Sequence, residues 1–60
     1  MNELNELRLD KIKTEANRIM GYIAYIKKSG RMDKFLDLKI SLEIALETAK
    51  KIMEDVGIDE

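Results

Sequence analysis

The chain contains no cysteine, no histidine, no proline and no tryptophan, and each absence removes a class of chemistry or structure. Without cysteine there is neither a disulfide framework nor a thiolate nucleophile, and without Cys and His together there is no structural zinc set. Lack of histidine also removes the usual imidazole base, any Ser-His pair, and the Glu-x-x-His pairs of di-iron bundles. No catalytic group, metal or cofactor is expected, so the reading is of a protein that is not an enzyme. Glu43 and Glu47 lie one helical turn apart, but two carboxylates on a solvated face are a weak cation site. The longest uncharged stretch, Ile19 to Ile26, is eight residues long, far short of the ~20 needed to cross a bilayer. Nor does a basic segment followed by an apolar run open the chain, so no signal peptide is read. A cytoplasmic protein without a membrane partner is expected.

With no proline and only three glycines in 60 residues, long uninterrupted helices are allowed. Two apolar runs mirror each other about the bond between Gly30 and Arg31. The first is Leu9, Ile12, Ala16, Ile19, Ile23, Ile26; the second is Phe35, Leu38, Leu42, Ala45, Ala49, Ile52. Both advance alternately by three and four residues, the a/d spacing of a helix with one buried seam. With Leu9 at a and Ile12 at d, the heptad continues in the same way through each run. Folding back at Gly30 would set Leu9 against Ile52, Ile12 against Ala49, Ala16 against Ala45, Ile19 against Leu42, Ile23 against Leu38 and Ile26 against Phe35. The fold class expected is therefore all-α: a single antiparallel helical hairpin over residues 1–60.

The first helix is expected over about 9–29, or from near residue 3 if the doubled Asn-Glu-Leu of residues 2–8 continues it. Asn2 and Asn5 are both candidate caps, with Glu3 and Glu6 favourable near the positive helix end. Lys27 and Lys28 suit the last turn, and Gly30 is placed for a left-handed ending. A tight turn at about 29–32 leads to a second helix over about 33–56, with Asp33 as its expected cap. Gly57 and Ile58 suggest a Schellman ending that leaves Asp59 and Glu60 as a frayed end. Gly21 sits inside the first helix, where it costs about 1 kcal/mol against Ala; a close helix approach or simple tolerance would each account for it.

Two helices and no covalent staple give little burial, while ordering costs on the order of 1.5 kcal/mol per residue. Self-association is the remaining remedy, and pairing of two hairpins into a four-helix bundle is expected. Met20, Met32, Leu46 and Met53, at e positions beside the seam, are the expected dimer core. Leu36, Ile40 and Ile44 point away from the seam of the second helix, as Leu4, Leu7, Tyr22 and Tyr25 do on the first. Such a stripe is either covered by the N-terminal leucines or a second subunit, or it binds a partner. The partner-binding candidates are Tyr22, Tyr25, Leu36, Ile40 and Ile44.

Net charge is −1, but its distribution is uneven. Residues 11–34 carry seven basic side chains against Glu15 and Asp33, whereas residues 35–60 carry three against seven acidic ones. Complementarity between the two helices is the simplest reading. A basic surface of Lys11, Arg18, Lys27, Lys28 and Arg31, with the tyrosines available for stacking, is the alternative reading, an RNA-binding face. In length and heptad plan the chain resembles the plasmid copy-number regulators of the Rop type. That resemblance implies hairpins pairing into a four-helix bundle that binds RNA hairpins. The leading expectation is instead a small protein–protein interaction module: a homodimer that acts as regulator, inhibitor or adaptor toward an unidentified protein.

Overall fold

In the computed structural model, which describes residues 2–58, the chain forms two helices, α1 (Glu3–Ser29) and α2 (Lys34–Val56), packed antiparallel as a hairpin. The expectation for Asp59 and Glu60 lies outside the described residues. α1 begins at the doubled Asn-Glu-Leu segment. Asn2, in an extended conformation, accepts the backbone N–H of Asn5 at 2.8 Å and so caps the helix. Glu3 and Glu6 stand in its first turn and Lys27 and Lys28 in its last, each sign at the helix end it favours. Gly30 takes φ 70°, where a side chain would be strained, and its N–H returns to the Ile26 carbonyl at 2.8 Å. At the other end Gly57, at φ 79°, lets Ile58 N–H reach the Met53 carbonyl at 2.8 Å, the long bond of a Schellman ending.

Asp33 departs from its expected role. It precedes α2 but makes no side-chain capping bond. Its carboxylate is instead held by Arg31, whose Nη2 and Nε donate at 2.9 and 3.2 Å. A paired guanidinium fork binds a carboxylate more strongly than one backbone N–H does.

The larger departure is in the seam. Among the described residues no apolar side chain is fully buried; the buried ones are Asn5, Glu15, Ser41 and Thr48. Half-buried beside them are Ile12, Ile19 and Ile26 on α1 and Leu38, Ala45 and Ile52 on α2. Leu9, Ala16, Ile23, Phe35 and Leu42, five of the twelve residues of the expected apolar seam, are exposed. In heptad terms, d faces the neighbouring helix as expected, but its companion is g rather than a. At about 100° per residue this turns each helix by about 60° from an a/d contact.

The cross-helix bond from Asn5 to Asp55 sets the register. Counting up one helix and down the other from that bond puts Ile12 level with Thr48, Glu15 with Ala45, Ile19 with Ser41 and Tyr22 with Leu38. The isoleucines at d thus meet Thr48 and Ser41, Ala45 meets Glu15, and Leu38 meets the larger Tyr22. Ser41 and Thr48 are small enough to be covered by the facing isoleucines, and Thr48 satisfies its hydroxyl by donating to the Ile44 carbonyl at 2.7 Å. Gly21 has nothing within 4 Å of where a Cβ would stand, so within the hairpin no close helix approach requires it.

Candidate interaction surface

The turn of each helix toward g decides what surface remains. Helices running in opposite directions rotate in opposite senses, so a shared d/g contact sends the a and e positions of both to the same side. That side carries Leu9, Met20 and Ile23 from α1, with Met32, Phe35, Leu42, Leu46 and Val56 from the turn and α2. All eight are exposed, from 44% at Ile23 to 68% at Met20. Of the expected dimer core, Met20, Met32 and Leu46 lie exposed on this face and Met53 is half-buried at its edge. The molecule measures 42 × 21 × 12 Å. Its shortest dimension is about one helix diameter, so the hairpin is one layer with a broad apolar face.

The outer surface is more broken. Tyr25, Leu36 and Ile40 are exposed there, as are Leu4 and Leu7. Tyr22 and Ile44 are half-buried. Tyr22 belongs to the d/g contact, and Ile44 lies beside it because Ser41 and Thr48, a turn on either side, draw that edge of α2 toward α1. The five partner-binding candidates therefore do not form one continuous exposed stripe. The N-terminal leucines do not cover the stripe either: Leu4 and Leu7 remain 52% and 66% exposed.

Polar groups organise both ends. At the open end Asp55 Oδ2 accepts from Asn5 Nδ2 at 2.7 Å and from Asn2 Nδ2 at 3.0 Å, while Asn5 Oδ1 accepts from Arg8 Nη1 at 2.9 Å. Asn5 is only 1% exposed. One cap residue therefore ties the start of α1 to the end of α2. Donation by Asn2 and then Asn5, with a smaller contribution from Arg8, holds the Asp55 carboxyl below the usual aspartate range. A carboxyl depressed in the folded state adds stability above its unfolded pKa, and that stability is lost as pH falls through the folded value. The melting-temperature gap between the parent and Asp55→Ala should accordingly be full at neutral pH and narrow below about pH 4. A gap of constant size down to pH 2 would contradict the network.

At the tip, Arg31 reaches both Asp33 and the Tyr25 hydroxyl, the latter at 3.4 Å. Asp33, and to a lesser degree Tyr25, raise the Arg31 pKa, while Arg31 lowers that of Asp33. Lys34 pairs with Asp37 at 3.3 Å and stands 5.8 Å over the Tyr25 ring. Arg18 pairs with Glu15 at 2.9 Å. Of the expected basic surface, Arg18 and Arg31 are thus engaged by carboxylates of this chain, and exposed Lys11, Lys27 and Lys28 make no ion pair with a described residue. The expected charge complementarity between helices does not take the form of ion pairs: those among the described residues are local in sequence, and none joins α1 to α2. Glu43 is taken up by Lys39 at 3.8 Å rather than left beside Glu47.

Asn5, Glu15, Ser41, Thr48 and Asp55 are the contact residues that the apolar pattern passes over. A weak signal exists in the seven-residue spacing of Lys34, Ser41, Thr48 and Asp55, which places small or hydrogen-bonding side chains along one edge of α2. Among the described residues no group of three or more His, Cys, Asp or Glu could hold a metal ion, and no helix is long and apolar enough to cross a membrane. No protein-family model, no curated protein and no solved structure matches the chain.

Proposed function

We propose that this chain is a non-catalytic interaction module that works as a homodimeric four-helix bundle, with its outward surface engaging a protein target as a regulator, inhibitor or adaptor does. The observation that carries this reading is the apolar a/e face left open by a hairpin with no buried apolar side chain among the described residues. Stable domains cover an apolar layer with a second layer. In a square array of four helices the common axis lies about 45° from the line joining two neighbours. A hairpin contact turned about 60° off the a/d stripe is near that geometry; two helices pairing alone would place a and d directly between them.

The outward residues Tyr25, Leu36 and Ile40 are the strongest candidates for the target contact, since they stay exposed whether or not a second layer is present. Ile40→Lys tests this. Ile40 lies on the far side of α2 from the a/e face, so helicity, melting temperature and self-association should be unchanged within about 0.5 kcal/mol. Target capture from the native host should be lost. Loss of helicity or of self-association would instead place Ile40 in the core. The RNA-binding alternative has less support, because Arg18 and Arg31 are occupied by neighbouring carboxylates. A steeply salt-sensitive shift of structured RNA would favour it.

A further inference from the structure

Resting on the homodimer reading, we infer that the second copy covers the a/e face end for end, with the two Gly30 turns at opposite ends of the bundle. Two-fold symmetry allows two ways of laying one hairpin face on another. With the turns at the same end, α1 lies beside α2 of the second copy. With the turns at opposite ends, each helix lies beside its own counterpart, reversed. With the two-fold axis near residue 17 of α1 and residue 43 of α2, which the Asn5–Asp55 bond puts level, the facing residues can be counted to within one residue.

The e positions flank the new contact and discriminate between the two. In the same-end arrangement Glu6 faces Met53, Lys13 faces Leu46, Met20 faces Lys39 and Lys27 faces Met32. Every level then sets a charge against an apolar side chain, and no opposite charges meet. In the end-for-end arrangement Glu6 of each copy is level with Lys27 of the other, and Met32 with Met53. Symmetry makes each of these pairs twice. Lys13 beside Met20 and Lys39 beside Leu46 remain mixed, and long lysine stems cover apolar neighbours while their ammonium groups reach water. Neither Glu6 nor Lys27 makes an ion pair with a described residue within the hairpin, so both are available. Charge complementarity of this kind sets orientation more than it adds affinity.

A single spin label separates the arrangements. Ser29 is exposed at the tip, and Ser29→Cys carrying a nitroxide allows a pulsed-EPR distance measurement between the two copies. Twelve residues separate Ser29 from the two-fold axis in each copy, so at ~1.5 Å per residue the end-for-end bundle predicts a distance of about 36 Å. The same-end bundle predicts no more than about two helix diameters, ~20 Å. The shorter distance in a sample sedimenting as a dimer would overturn the orientation and leave the homodimer intact. Absence of dipolar coupling together with a monomer mass would overturn both.

Discussion

Leu42→Glu is expected to leave the chain monomeric and largely unfolded at micromolar concentration. Within the isolated hairpin this residue is 51% exposed, and a substitution at such a site ordinarily shifts stability by no more than about 0.5 kcal/mol. The bundle predicts otherwise, because Leu42 sits at an a position near mid-height and turns toward the common axis. Each lost leucine forfeits about 2 kcal/mol of burial, and symmetry removes two. The dissociation constant should rise by about a thousandfold from that effect alone, with the cost of two carboxylates in a dry layer added. On the homodimer reading a lone hairpin does not offset its ordering entropy, so loss of the dimer should appear as loss of helical circular dichroism. A variant that keeps both its helicity and its melting temperature would show that the face stays in water.

Glu15→Met is expected to act in the opposite direction and stabilise the protein. Glu15 is 4% exposed, level with Ala45 and set between the α2 turns that carry Ser41 and Thr48. Oε1 accepts from Arg18 at 2.9 Å, but Oε2 is buried without a hydrogen-bond partner among the described residues. An unsatisfied buried oxygen costs about 1–3 kcal/mol, and the partly exposed Arg18 offsets little of it. Methionine has similar length, high helix propensity and no polar atom requiring a partner. The variant should melt higher by roughly 4–8 °C for each kcal/mol recovered, compared at equal chain concentration. An unchanged or lower melting temperature would mean that the carboxyl contributes a contact worth more than its desolvation.

The hairpin itself was legible because its signals are local and repeated. A three-four spacing held across both halves, glycines stood where left-handed endings are needed, and charges of the right sign occupied the ends of α1. The rotation of the helices was not legible. An a/d/e stripe is wide enough to serve two neighbours, and its width does not reveal which edge faces the helix of the same chain. That choice rests on g residues such as Glu15, Ser41 and Thr48, whose polarity reads as solvent-facing until the opposite helix covers them. The bond between Asn5 and Asp55 spans fifty residues and has no local signature. Asp33 failed as a cap for a comparable reason: Arg31, two residues earlier, offered its carboxylate a better partner.

The outward stripe was legible only in part. Tyr25, Leu36 and Ile40 are as free as their heptad positions suggest, whereas Tyr22 and Ile44 are drawn into the edge of the helix contact by small neighbours on α2. Helix geometry places a side chain on its own helix, but partial burial depends on the size of the side chains facing it.

Sedimentation equilibrium over a range of micromolar concentrations puts the most at stake. If the oily flank that this hairpin leaves open is closed by its twin, the measured mass is twice the 7.0 kDa of the chain. A folded, helical species of 7.0 kDa at the highest concentration would show that one layer stands alone, and the bundle would have to be abandoned.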